Sequence, residues 1–205
     1  STIAPTIYGH FAEHLGRCIY EGIWVGPRSR IANQCGIRLD VVAALSELRV
    51  PILRWPGGCF ADAYHWRDGI GPVSDRKQTV NIWWHQSESN SFGTDEFVQL
   101  CRSVNCEPYI CVNVGSGTPQ EAMEWLEYCN YGGESTLSLL RKRNGFTEPH
   151  GVKYWGVGNE NWGCGGRFDG ADYAKTFTRF AGYMRAADPG IQIVACGHGP
   201  SPAWS

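Results

Sequence analysis

Apolar positions along the chain follow two alternating rhythms. Short, nearly continuous apolar runs have the length of buried strands: Ile7 to His14, Val50 to Trp55, Pro108 to Val114, Val152 to Gly158 and Ile191 to Cys196. Between them lie stretches with helical spacing. Val41, Val42, Leu45 and Leu48 predict a helix over 39–48, with Asp40 in its first turn, where a carboxylate suits the helix dipole. Thr94 or Asp95 caps a helix that reaches Cys101. Thr118 before Pro119 supplies a cap and a proline at the first helical position of a helix carrying Met123, Leu126 and Tyr128. A further helix over 173–187 is closed by Asp188-Pro189-Gly190. The segment from Cys59 to about Asn90 reads as a long loop. Strands alternating with helices predict a parallel α/β sheet. Five strands fit either an open doubly wound sheet or an incomplete barrel, because a closed (β/α)8 barrel needs eight strands and typically ~250 residues.

Each predicted strand runs into polar residues or glycine at its C-terminal end, where both architectures build their sites. The candidates there are Glu13, Arg54, Cys59, Asn113, Asn159, Glu160 and His198. A carboxylic acid shielded by Trp155 and Trp162 is expected to be desolvated and to serve as a general acid. Asn159 offers both a donor and an acceptor to a sugar hydroxyl, and nine tryptophans suit the C–H faces of carbohydrate. Several of these residues carry a plainer reading as well. Glu13 fits an interior ion pair with His10, His14 or Arg54; Cys59 fits a space-filling role; Trp83 and Trp84 fit a core as well as a leaving-group sugar. Gly115-Ser116-Gly117 is half of a dinucleotide fingerprint, but Gln120 stands where its third glycine belongs.

Composition narrows the classes. With 205 residues, 42% hydrophobic and 19% charged, the chain is globular and long enough for one core. A formal charge of −2 gives no basic excess for nucleic acid or an anionic membrane surface, and no apolar run approaches the ~20 residues that span a bilayer. Nine cysteines is an odd number without a Cys-x-x-Cys pair, which takes the main support from zinc-ribbon and thioredoxin readings. Reduced thiols and a cytoplasmic location are expected, with a local disulfide such as Cys101–Cys106 left open.

Five ordered segments together resemble glycoside hydrolase family 51, the α-L-arabinofuranosidases. They are Ile7-Tyr8-Gly9-His10-Phe11-Ala12-Glu13-His14-Leu15-Gly16-Arg17; Leu53-Arg54-Trp55-Pro56-Gly57-Gly58-Cys59-Phe60-Ala61-Asp62; His65-Trp66-Arg67-Asp68-Gly69-Ile70-Gly71-Pro72; Asn113 to Thr118; and Tyr154 to Gly166. The resemblance implies a (β/α)8 TIM barrel, incomplete here at about five of eight β/α units, with residues 1–205 as the N-terminal portion of the catalytic domain. It implies a retaining glycosidase with two carboxylates, acting on arabinoxylan- or arabinan-type saccharides without metal or organic cofactor, in a family whose enzymes are commonly oligomers. Glu160 would be the acid/base, Asn159 would bind the 2-hydroxyl, Glu13 the furanose hydroxyls, Cys59 would line the sugar pocket, and Arg54 would orient the nucleophile.

One feature departs from the family pattern. The nucleophile there is a glutamate near the end of strand seven, whereas the last glutamate of this sequence is Glu160 itself. The strand-six tyrosine and the C-terminal β-sandwich have no counterpart either. The segment Ile82 to Gly93 lacks the family's glycine pair near His85 and its histidine near Ser91. The expectation is a chain that supplies the acid/base but not the nucleophile. It would be part of a split enzyme completed by a second chain, an inactive truncated product, or a sugar-binding remnant. An endoglucanase-type member of the same family is the substrate-level alternative.

Overall fold

The computed structural model describes residues 3–198. The chain falls into two compact units, Ser1–Gly57 with Trp66–Tyr109, and Gly58–His65 with Ile110–Ser205. In chain order the strands are β1 (His10–Phe11), β2 (Asn33–Gln34), β3 (Ile37–Arg38), β4 (Ile52–Trp55), β5 (Thr79–Asn81), β6 (Gln86–Glu88), β7 (Glu107–Val112), β8 (Tyr154–Val157) and β9 (Gln192–Ala195). The helices are α1 (Leu39–Glu47), α2 (Thr94–Val104), α3 (Pro119–Asn130), α4 (Thr136–Arg143) and α5 (Gly170–Ala187).

In the first unit β1 pairs in parallel with β4, in the register His10↔Leu53 and Phe11↔Arg54. The row continues from β4 to β7, where the Glu107 N–H donates to the Pro51 carbonyl at 3.0 Å. In the second unit the row is β7-β8-β9. There β8 and β9 are parallel, with Trp155 opposite Ile193. The β/α alternation of the sequence is therefore present, and the parallel α/β class stands.

Several elements differ from the sequence expectation. The first strand is two residues long, because Pro5–Tyr8 is a 3-10 turn that leaves Ile7 and Tyr8 exposed. The expected loop over 59–90 holds three 3-10 turns, Cys59–Ala63, Trp66–Gly69 and Val73–Asp75, and the antiparallel hairpin β5–β6. Helix α2 starts from Gly93, whose N–H donates to the Glu96 carboxylate at 2.8 Å. Helix α3 starts as the sequence predicts: the Thr118 hydroxyl accepts from the Glu121 N–H at 3.1 Å.

Tryptophans build the cores. In the first unit Trp55 stacks on Phe97, with centroids 5.1 Å apart, and meets Phe92 edge-on. In the second, Trp125 meets Trp155 and Tyr64 edge-on at 6.0 and 5.9 Å. Trp55, Trp66, Trp125 and Trp155 are all fully buried, so these four are core residues rather than sugar platforms. Arg141 is buried too; its guanidinium donates to the carbonyls of Tyr128 and Tyr131, which the end of α3 leaves without helical partners.

Candidate active site

In the second unit the polypeptide leaves β8 through Gly158-Asn159-Glu160-Asn161. Gly158 has a φ of +77°, and a Cβ there would lie 2.2 Å from Asn161 Oδ1, so only glycine fits. Glu160 also takes a left-handed conformation, φ +43°, which a residue with a side chain rarely adopts. Non-glycine residues held there cluster at functional positions. The turn is tied down by its own backbone. The Gly163 and Gly165 N–H groups donate to the Glu160 carbonyl at 2.7 and 3.2 Å, and Asn161 Nδ2 donates to the Gly165 carbonyl at 2.6 Å.

Asp62, buried in the turn Cys59–Ala63, fixes this loop. Its Oδ2 accepts the Asn159 N–H at 2.7 Å, and its Oδ1 accepts the N–H groups of Val114 and Gly115 at 2.7 and 3.1 Å. One carboxylate thus gathers the ends of β7 and β8. The Asn113 side chain works locally: Oδ1 accepts from Ser116 and Gly117, and Nδ2 donates to Ser116 Oγ and the Tyr64 carbonyl. Behind them, the Tyr173 hydroxyl donates to the Val157 carbonyl and accepts the Cys196 N–H. Burial pushes its phenol well above the ordinary range.

The second unit brings Cys59, Asn159 and Glu160 together. Cys59 forms a disulfide with Cys164 across 105 residues of sequence, with Cα atoms 5.6 Å apart. This corrects the expectation of reduced thiols throughout; the other seven cysteines are free thiols. Among them, Cys101 donates a hydrogen bond to Cys106 that holds the Cys106 thiol below its usual range, while burial pushes Cys101 up. Glu160 Oε2 lies 3.6 Å from Cys164 Sγ and 3.9 Å from Cys59 Sγ. These are contacts, since a disulfide has no S–H to donate. Asn159 is buried, and its Nδ2 is 3.9 Å from Cys164 Sγ. Glu160 itself is exposed. The expected shield of two tryptophans is not built around it: Trp155 faces the core and donates to the Val152 carbonyl, and Trp162 stacks on His198 at 4.3 Å.

Glu13 and Arg54 belong to the first unit. The Ala12 N–H donates to the Arg54 carbonyl at 2.9 Å, so the end of β1 and that of β4 are adjacent. Glu13 is half-buried, and a Cβ on Gly57 would lie 2.6 Å from its Cγ. The Arg54 guanidinium lies over the Phe11 and Tyr109 rings, 5.0 and 5.9 Å from their centroids. Next to Glu13 is a buried network. Trp55 Nε1 donates to His14 Nε2 at 3.0 Å, which leaves Nδ1 as the donor on the other side of the ring. Nδ1 then donates to Glu88 Oε2 at 3.0 Å, and Glu88 Oε1 accepts the Asn90 N–H and the Tyr20 hydroxyl. Burial alone would raise the Glu88 carboxyl; the bonds from His14, Tyr20 and Asn90 outweigh it and hold the carboxyl below the usual range.

Sequence reasoning gave no role to Asp62, Cys164 or Glu88. Asp62 stood inside a matched segment, but only its three bonds to backbone N–H groups reveal its task. Cys164 also stood inside a matched segment, but nothing singled it out among nine cysteines as the partner of Cys59.

The family model described as the alpha-L-arabinofuranosidase 1 domain matches residues 44–203. An intracellular exo-alpha-L-arabinofuranosidase of Bacteroides ovatus is 53% identical over 187 residues, covering 91% of this chain and 36% of that protein. Alpha-L-arabinofuranosidase C of Emericella nidulans is 43% identical over 206 residues, covering all of this chain and 41% of that protein. The chain thus spans about two fifths of the length of these relatives. Among solved structures, a GH51 arabinofuranosidase from Xanthomonas axonopodis superposes with a TM-score of 0.93 at 45% identity, over 96% of this chain and 40% of that one. An arabinose complex of the Thermotoga maritima alpha-L-arabinofuranosidase gives 0.92 at 46%, over 96% and 41%. The parallel β/α row is accordingly that of an incomplete TIM barrel. No helix among the described residues is long and apolar enough to cross a membrane.

Proposed function

The chain belongs to the α-L-arabinofuranosidases of glycoside hydrolase family 51, and from that premise we propose that it contributes the acid/base half of a retaining hydrolase that releases terminal α-L-arabinofuranosyl groups from arabinoxylan- or arabinan-type saccharides. The observation that carries this reading is the loop after β8, where Glu160 is held in a left-handed conformation beside a buried Asn159 whose N–H is fixed by Asp62.

In a retaining mechanism Glu160 protonates the departing glycosidic oxygen while a second carboxylate attacks the anomeric carbon. Glu160 then takes a proton from the water that releases the sugar. Asn159 holds the 2-hydroxyl, a contact that strengthens in the transition state. Glu13 binds furanose hydroxyls, Arg54 orients the attacking carboxylate, and Cys59 lines the pocket. The attacking carboxylate is assigned to residues outside 1–205, since no glutamate follows Glu160. Residues 1–205 then act as one portion of a single catalytic domain. A cytoplasmic location is proposed on the strength of the Bacteroides ovatus relative, which is named intracellular.

A chimera tests this reading: residues 1–205 replace the matching part of the Bacteroides ovatus relative. It is expected to hydrolyse 4-nitrophenyl α-L-arabinofuranoside, whereas the 205-residue chain alone is expected to leave it intact. Turnover by the chain alone would overturn the division of the carboxylate pair.

A further inference from the structure

We propose that reduction of the Cys59–Cys164 disulfide converts the rim beside Glu160 into a site for one thiophilic divalent cation, such as zinc, held by the two cysteine sulfurs and the Glu160 carboxylate. The role given to Glu160 in catalysis rests on the reading above; the cation site rests on geometry alone.

The three side chains each present one ligand-type atom, and these atoms lie within 4.8 Å of one another. A tetrahedral zinc with bonds of about 2.3 Å to sulfur and 2.0 Å to oxygen places those two ligands about 3.5 Å apart. Glu160 Oε2 already sits 3.6 and 3.9 Å from the two sulfurs. The sulfurs, bonded to each other in the disulfide, have to part on reduction, and both cysteines are only half-buried. The carbonyl of Glu160 anchors the turn that returns Cys164 toward it, by accepting from Gly163 and Gly165. Asn159 Nδ2, 3.9 Å from Cys164 Sγ, points a donor at the sulfur that becomes a thiolate. Three protein ligands at a partly exposed rim leave a fourth position for water, the arrangement of an open zinc site.

The steps balance. A dithiol reductant transfers two electrons and two protons to the disulfide, giving two thiols and its own cyclic disulfide. Cation binding then displaces both thiol protons, forming two metal–thiolate bonds and one metal–carboxylate bond. While the disulfide is closed, no thiolate is available and Glu160 is the only ligand left. The same loop therefore has two states: a closed disulfide with Glu160 free to move a proton, and an open dithiol in which a soft cation occupies that carboxylate. In a reducing compartment the second state is the accessible one.

Cobalt(II) serves as the spectroscopic probe. The 205-residue chain, reduced with dithiothreitol and desalted without oxygen, is titrated with Co2+ beside the untreated oxidised chain. The reduced chain is expected to take up one equivalent with thiolate-to-cobalt charge-transfer absorption and the visible bands of a four-coordinate ion. The oxidised chain, which carries the same seven other thiols, is expected to show none of that absorption. Cys164→Ser should abolish this equivalent. Glu160→Gln should keep the charge-transfer band and weaken Co2+ binding at least tenfold. Equal uptake by oxidised and reduced chains, or by Cys164→Ser, would overturn the site, and unchanged affinity in Glu160→Gln would overturn the carboxylate ligand. None of these readouts uses turnover, so an inactive chimera would sink the catalytic reading and leave this one standing.

Discussion

Asp62 Oδ2 accepts the backbone N–H of Asn159 at 2.7 Å, and this one bond sets where the polypeptide turns before Glu160. The same carboxylate holds Val114 and Gly115, so it fastens two strand ends at once. Asp62→Ala leaves three N–H donors without their acceptor. Each buried unsatisfied group costs about 1–3 kcal/mol, and a loss of at least about 3 kcal/mol is expected in urea unfolding. Asp62→Asn should recover only part of it, because its amide nitrogen must face an N–H donor on one side. Equal stability of Asp62→Asn and wild type would show that the carboxylate does not organise the loop.

Gly158 is the second fixed point. Its φ of +77° costs a residue with a Cβ about 1–2 kcal/mol, and the added atom would collide with Asn161 Oδ1. Gly158→Ala in the chimera is expected to lower kcat more than tenfold with a smaller change in KM, because Glu160 is displaced. A fall in KM affinity alone, with kcat intact, would speak against that placement.

In the first unit the Glu88 network has a defined pH signature. The folded carboxyl titrates below its unfolded value, so its contribution is full above the unfolded pKa of about 4.3 and is lost as pH falls through the lower folded value. Wild type should therefore exceed Glu88→Gln in stability at neutral pH, and the gap should close under acid. The reading comes from melting temperatures of both proteins from pH 7 to pH 3. A gap that widens as the pH falls would contradict it.

Much of this architecture was legible in the residues. The run Ile52–Trp55 with its glycine pair, the Thr118-Pro119 helix start and the Asn159-Glu160 strand end all depend on local pattern, which one sequence displays. Pairings across long separations were not legible. Cys59 and Cys164 are 105 residues apart, and His14 and Glu88 are 74 apart; nothing near either residue encodes its partner. The hairpin β5–β6 carries no sequence signal, because Gln86-Ser87-Glu88 is a polar strand without an apolar stripe. Helix α4 is hidden for a similar reason: Thr136–Arg143 ends in three consecutive basic residues, and its packing depends on the burial of Leu137 and Arg141. The tryptophans misled in the other direction, since sugar stacking and core packing ask for the same ring.

The most direct test of the account is azide rescue of Glu160→Ala in the chimera. An aryl leaving group departs without much help from an acid, so the first step survives. Release of the sugar then lacks a base to activate water, whereas azide attacks without one. With 4-nitrophenyl α-L-arabinofuranoside, kcat is expected to fall at least a hundredfold, to recover on addition of azide, and to yield an arabinosyl azide of retained configuration. Unimpaired turnover by Glu160→Ala, or a loss that azide does not relieve in a folded protein, would contradict Glu160 as the acid/base.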